Sequence, residues 1–381
     1  MSHSSELDIL NEEIASHFQH LNKSLVRSLA WYVFGMVMMR HCGQTQIATL
    51  LSGLLEMPFN NVRQRLRELS YESEHKRGEK RQAIEVKSCF APLLKWVISK
   101  FKIPPTQLVL ACDATYLKDR FVILAVSVVV AGCAIPVAWH IQEGDKKGKW
   151  NPIWIDLLNH LRDAIPSGCE VYILTDSGLY SKELYQAIQK KPKWTATMRI
   201  EGGQGFFQPK GQSTWVSLKS LAHQGMLPIA LEGICFKGNP LPCTLLIQWA
   251  EAYDKPCFIV SNIAITAVNH QLYGIRYWIE CSFKDIKRGL FHWEQTKMTD
   301  PQRAERLWLV ISIGLLWLTS VGESAFDVLH WQVLNATQTQ SKRLSAPILG
   351  WIQLIVSLLK AQPFPRGYLQ PYPWQSTNTY P

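Results

Sequence analysis

Residues 273–290 read YGIRYWIECSFKDIKRGL, and the placement of charge in this stretch governs how the rest of the chain is read. At about 100° per residue of α-helix, Tyr273, Arg276, Lys284 and Lys287 all fall within about 40° of Glu280. Leu272, Ile275, Ile279, Phe283, Ile286 and Leu290 form a second stripe centred about 100° away, the pattern of a helix anchored on a core along one side. The helix presents a carboxylate set among cations and a phenol. An ordinary ladder of i,i+4 ion pairs, Arg276 to Glu280 to Lys284, accounts for the charges equally well.

Working outward, the chain of 381 residues has room for one large domain and a smaller one. With 47% hydrophobic residues and 15 tryptophans it can bury a sizeable core, and its formal charge of +10 suits a polyanionic partner. Nine cysteines are scattered with no C-x2-C pair, which argues against a disulfide framework and a zinc site and fits a reducing cytosol. The opening MSHSSELDILNEEIASHF is acidic and polar where a secretory leader would be basic and then apolar. The expectation is a cytoplasmic protein.

Residues 1–103 read as a helical N-terminal domain. A helix near QIATLLSG, a turn, and a helix FNNVRQRLREL carrying Arg63, Arg65 and Arg67 behind an Asn60 cap could form a helix-turn-helix, or a helical pair that touches no DNA. The charged HKRGEKR from His75 reads as a loop. At Leu108 the pattern becomes strand-like. The run Phe121 to Trp139 has no charge over nineteen residues, long enough for a membrane span. Its β-branched content, Gly132 and Pro136 favour a buried hairpin turning near Ala131 and Gly132. The apolar run Leu307 to Leu318 suits a buried core helix.

Residues 104–200 give three strands with a hairpin among them, a helix near 151–164, a fourth strand ending at Asp176, another helix and a fifth strand. This is the order of a ribonuclease H-like α/β core with a mixed sheet, in which the first and fourth strands lie parallel and adjacent. Asp113, within the first, and Asp176, at the end of the fourth, would then be neighbours. A lone carboxylate in an apolar strand is costly to bury unless paired or metal-bound, which singles out Asp113, although an aspartate bonded to nearby loop backbone is the plain alternative. Asp176 lies in Thr-Asp-Ser-Gly, which is also ordinary turn chemistry. Residues 201–256 are Gly- and Pro-rich and read as a small β insertion, residues 257–335 as the remainder of the core with the Glu280 helix, and residues 336–381 as a helix with a Pro/Tyr-rich tail.

The spacing Tyr273-x2-Arg276-x3-Glu280-x6-Lys287 resembles the Y-x2-R-x3-E-x6-K signature of bacterial insertion-sequence transposases of family four, within the DDE group. With Asp113 and Asp176 upstream, the resemblance covers roughly residues 108–320. It implies catalysis by two Mg²⁺ ions, with Mn²⁺ as substitute, roughly 3.5–4 Å apart. Asp113 would bridge both ions while Asp176 and Glu280 each hold one. It implies further that Arg276, Lys284 and Lys287 contact phosphates, and that Tyr273 meets the terminal nucleotide. The implied partners are double-stranded DNA, as the element's terminal inverted repeats and target, and a second copy of the chain, with no membrane. The implied location is the bacterial cytoplasm beside the nucleoid. Relatives often carry a base directly after the second aspartate, where this chain has Ser177. Some carry a tryptophan in the insertion that stacks on a displaced base; Trp249 is the nearest counterpart, and a tryptophan buried at an interface is the other reading. A nuclease of the same fold that cuts without joining, and a DNA-binding derivative with structural acids, are the competing functions.

Overall fold

The computed structural model describes residues 4–76, 82–144, 148–203, 205–328 and 344–371. Most of the basic stretch from His75 and the end of the Pro/Tyr-rich tail lie outside them.

Helices α1 (Ser4–His17), α2 (Lys23–Met39), α3 (Gln44–Leu55), α4 (Phe59–Leu69) and α5 (Val86–Ser99) form the N-terminal part. Helix α2 starts where the Asn22 side chain accepts a hydrogen bond from the Leu25 amide, satisfying one of the unpaired first-turn donors. Helix α4 starts differently from the sequence expectation. Pro58, not Asn60, is its N-cap residue, and no side chain caps it; Asn60 sits exposed in the first turn. Proline there fixes the entry angle, and it needs no N–H of its own. Val62, Leu66 and Leu69 of α4 are buried, while Asn60, Asn61, Arg63 and Arg67 face out. The buried cluster runs from Leu7 through the sheet to Leu369, so these helices share one core with the rest of the chain.

A mixed sheet follows: β1 (Gln107–Leu117), β2 (Phe121–Val130), β3 (Cys133–Glu143), β4 (Glu170–Thr175), β5 (Trp194–Ile200), β6 (Phe206–Pro209), β7 (Val216–Ser217), β8 (Met226–Cys235), β9 (Leu241–Trp249) and β10 (Cys257–Ser261). Their order is β3-β2-β1-β4-β5-β10-β9-β8-β6-β7. The uncharged run folds as the β2–β3 hairpin, and Ala131 and Gly132 turn it with φ of 53° and 73°, the paired left-handed conformation of a two-residue hairpin loop. Every residue of β2 is buried, which explains why its sequence shows no alternation. A register shift after Val126 sets Ser127 opposite Pro136, whose ring cannot donate to a ladder.

Strands β1 and β4 are parallel, with Cys112 opposite Thr175, and β4 and β5 are parallel too. Helix α6 (Asn151–Leu161) lies in the crossover and α7 (Lys182–Gln189) joins β4 to β5. This is a ribonuclease H-like core. The insertion extends that sheet rather than standing apart from it: β10 pairs antiparallel with β5 on one side and with β9 on the other.

The Glu280 segment departs from a single regular helix. Residues Leu272–Arg276 form a 3₁₀ turn, α8 covers Tyr277–Lys284, and Asp285–Gly289 widen into a π turn. Asp285 is involved in closing that turn, because its carbonyl accepts from the amides of both Leu290 and Phe291. Wide turns of this kind recur at functional sites.

Helix α9 (Pro301–Val328) contains the twelve-residue apolar run and is more than twice its length. Its Pro301–Ala325 portion is long and apolar enough to cross a membrane, and 89% of its most apolar window is buried inside the protein. It packs on α10 (Ala346–Leu359), with glycines where the two backbones approach. A Cβ on Gly322 would lie 1.8 Å from the Ala346 carbonyl oxygen, and one on Gly350 would lie 1.9 Å from that of Leu318.

Candidate active site

Asp113 enters the site from β1, where its Oδ1 accepts a 2.9 Å hydrogen bond from the Ala114 amide. Burial raises its pKa above the ordinary carboxylate value, and the Arg276 guanidinium only partly opposes this. Because Thr175 pairs with Cys112, the next residues along the two parallel strands, Asp113 and Asp176, come side by side. Asp176 follows the last residue of β4. Its Oδ1 is buried without a hydrogen-bond partner among the described residues, and the nearest cation, Arg199 Nη1 on β5, is 3.7 Å away.

Glu280 comes from the first turn of α8. That helix is tied to β3 by Ser282, whose hydroxyl accepts a 2.6 Å bond from the Ala134 amide and donates one of 3.1 Å to the Trp278 carbonyl. Arg276, at the end of the 3₁₀ turn, gathers the three acids. Its guanidinium lies 3.1 Å from Asp113 Oδ2, 2.6 Å from Glu280 Oε1 and 3.9 Å from Asp176 Oδ2. Burial draws its pKa down, while Tyr273, Asp113, Asp176 and Glu280 outweigh this and hold it above the usual value.

These groups open onto a cleft of ≈ 470 Å³ lined also by Thr115, Lys284, Lys287 and Arg288. Lys284 is exposed and Lys287 half-buried. Burial, helped by neighbouring Arg288, lowers the pKa of Lys287. Of the expected site residues, six thus meet in one place. Tyr273 is set differently. It is buried, and its hydroxyl donates a 3.0 Å bond to the Thr175 carbonyl, so the phenol expected at the terminal nucleotide braces the strand end that carries Asp176.

Sequence reasoning passed over Arg199, although a charged residue near the end of the otherwise uncharged TATMRI strand is the same kind of oddity that marked Asp113. It supplies a cation beside Asp176 from the neighbouring strand, where Ser177 supplies none. Trp249 ends β9. Strand register, from Thr175 to Met198, Val260 and Leu245, puts it further along the strands than Asp176, toward the same end of the sheet. It is half-buried, with its indole N–H donating 2.9 Å to the Tyr253 carbonyl.

A family profile described as "Transposase DDE domain" matches residues 120–317, just over half of the chain. The chain belongs to the transposase DDE domain family. The matched region includes Asp176, Glu280 and the basic residues of the cleft, and it begins shortly after Asp113. Among solved structures, the chain is similar to a piggyBac transposase in a cryo-EM synaptic complex with hairpin DNA. The two are 12% identical with a TM-score of 0.42, and the alignment covers 94% of this chain and 78% of that one. No curated protein matches.

Transposases of this family act on DNA and use divalent metal ions. The donor types here suit such ions: three carboxylates from three different elements, one with a buried oxygen that has no hydrogen-bond partner among the described residues. As arranged, however, the space among them is filled by the Arg276 side chain, and no three Asp, Glu, His or Cys side chains among the described residues are grouped to hold an ion.

Proposed function

We propose that this chain is a cut-and-paste DDE transposase, of the kind in family four, that binds the ends of its insertion sequence, cleaves there and joins the 3′ ends to target DNA. The observation that carries this reading is the convergence of Asp113, Asp176 and Glu280 on one buried guanidinium, at the mouth of a cleft edged with lysine and arginine. The spacing of Tyr273, Arg276, Glu280 and Lys287 supports the placement in family four.

Asp113, Asp176 and Glu280 would hold two Mg²⁺ ions, or Mn²⁺ in their place. Such a pair activates an attacking oxygen and steadies a leaving one in phosphodiester chemistry. Lys284 and Lys287, with Arg288, attract the phosphates flanking the cut into the cleft, and Arg276 offers the planar fork that grips a phosphate through two hydrogen bonds. Tyr273, through Thr175, fixes where Asp176 points. The same set of residues serves water attack, which frees the 3′ end, and then attack by that 3′ hydroxyl on target DNA.

Helix α4 is the part of the N-terminal region best suited to the terminal repeats. Asn60, Asn61, Arg63 and Arg67 are exposed on it, and asparagine and arginine are the residue types that read base edges in the major groove. The active form would be a homodimer on DNA, working in the bacterial cytoplasm beside the nucleoid.

The deciding experiment offers an oligonucleotide bearing the element's terminal repeat, read from the flanking DNA, to the protein with Mg²⁺ and a target plasmid. Joined products that vanish with Asp113→Ala are expected. Cleavage without joining would instead make the protein a nuclease, and binding without either a DNA-binding derivative.

A further inference from the structure

Arg276 holds a position that a phosphate contact alone does not explain. It is 7% exposed, and its two terminal nitrogens reach Asp113 and Glu280 within hydrogen-bond distance and Asp176 at 3.9 Å. Three carboxylates forced together in a partly dry cleft repel one another, and one guanidinium among them offsets that repulsion. It touches the same oxygens that would ligate divalent ions. Ions bind such oxygens at roughly 2.0–2.6 Å, too close to share them with a second cation at about 3 Å without strong repulsion.

We propose that Arg276 is an internal cation that holds the three acids in place, and that a DNA phosphate entering the cleft draws it off them and so opens them to metal. The proposal rests on reading the three acids as the metal-holding set. The guanidinium leaving carboxylates for a phosphate keeps two charge-assisted hydrogen bonds, and the incoming divalent ions replace its charge among the acids. Lys284, Lys287 and Arg288 line the same cleft, and their positive charge favours a phosphate there. Metal and DNA then bind with positive coupling, and by linkage each raises the affinity for the other by the same factor.

The test measures Mn²⁺ binding by electron paramagnetic resonance, using full-length protein with and without a duplex that carries the terminal repeat. Target DNA is omitted, and the duplex is already cut at its 3′ end so that nothing turns over. Wild-type protein is expected to bind Mn²⁺ about 5- to 150-fold more tightly with the duplex, the usual range of coupling between two sites. Arg276→Gln is expected to bind Mn²⁺ more tightly than wild type without DNA and to lose most of the coupling, and Arg276→Lys to fall between. Equal Mn²⁺ affinity with and without bound duplex would overturn the proposal, as would a folded Arg276→Gln that binds Mn²⁺ no better than wild type. Should Arg276→Gln not fold, the wild-type comparison decides. Absence of Mn²⁺ binding even with duplex would overturn the metal-holding reading along with it.

Discussion

The hydroxyl of Tyr273 donates a 3.0 Å hydrogen bond to the backbone carbonyl of Thr175, the residue directly before Asp176. Tyr273→Phe leaves that buried carbonyl without this donor, which costs about 1–3 kcal/mol. A melting temperature lowered by several degrees is expected, together with weaker Mn²⁺ binding at an otherwise complete acid set. Unchanged melting would show that the bond contributes nothing and that the phenol is free for another role.

Asp113 trades stability for chemistry. Its folded-state pKa is raised, by burial first. The folded protein therefore favours the protonated acid: the associated stability is fully present below the ordinary carboxylate pKa and is lost as pH rises through the raised folded value. Asp113→Asn should melt higher than wild type near neutrality. That advantage should shrink as pH falls through the raised value and vanish below about 3.9, where the acid is protonated in both states. Thermal melts across pH check the sign, and strand-transfer activity of the variant should be absent at every pH.

Arg120 fixes the loop that follows the Glu280 segment. Its Nη1 donates to the carbonyls of Thr296 and Met298 at 2.6 and 2.8 Å, although 176 positions or more separate the partners. Arg120→Ala should destabilise the fold by about 1–3 kcal/mol. Amide hydrogen exchange should quicken in residues 294–300 while the β1–β4 pairing stays protected. Uniform loss of protection would mean that the clamp supports the whole core.

Gly322→Ala would drive a methyl group into the Ala346 carbonyl at 1.8 Å. The α9–α10 crossing must open, and overpacking of this kind typically costs about 1–3 kcal/mol, with backbone contacts at the upper end. Denaturant unfolding measures it.

Much of the site was legible in the sequence, because helical and strand periods are local properties. The stripe around Glu280, the uncharged hairpin run, the carboxylate inside one apolar strand and the one just after another could be read residue by residue. The regularity of the Glu280 helix could not, since its 3₁₀ start and π end depend on contacts made from outside the segment, such as the Ser345 hydroxyl on Asp285. Asn60 looked like a cap by residue type, but the chain's entry through Pro58 moved the helix start. Arg199 escaped notice because only the sheet order brings β5 beside β4.

The sequence by itself determined which residues are charged, which strands are apolar throughout, and the order of elements that a ribonuclease H-like core needs. Only the tertiary structure decided that Asp113, Asp176 and Glu280 each come within 4 Å of the Arg276 guanidinium, and that Tyr273 faces inward. Side-chain type and period are written into neighbouring residues, whereas proximity across a parallel strand pair and a helix arises from burial of a shared core, which no local window of sequence contains.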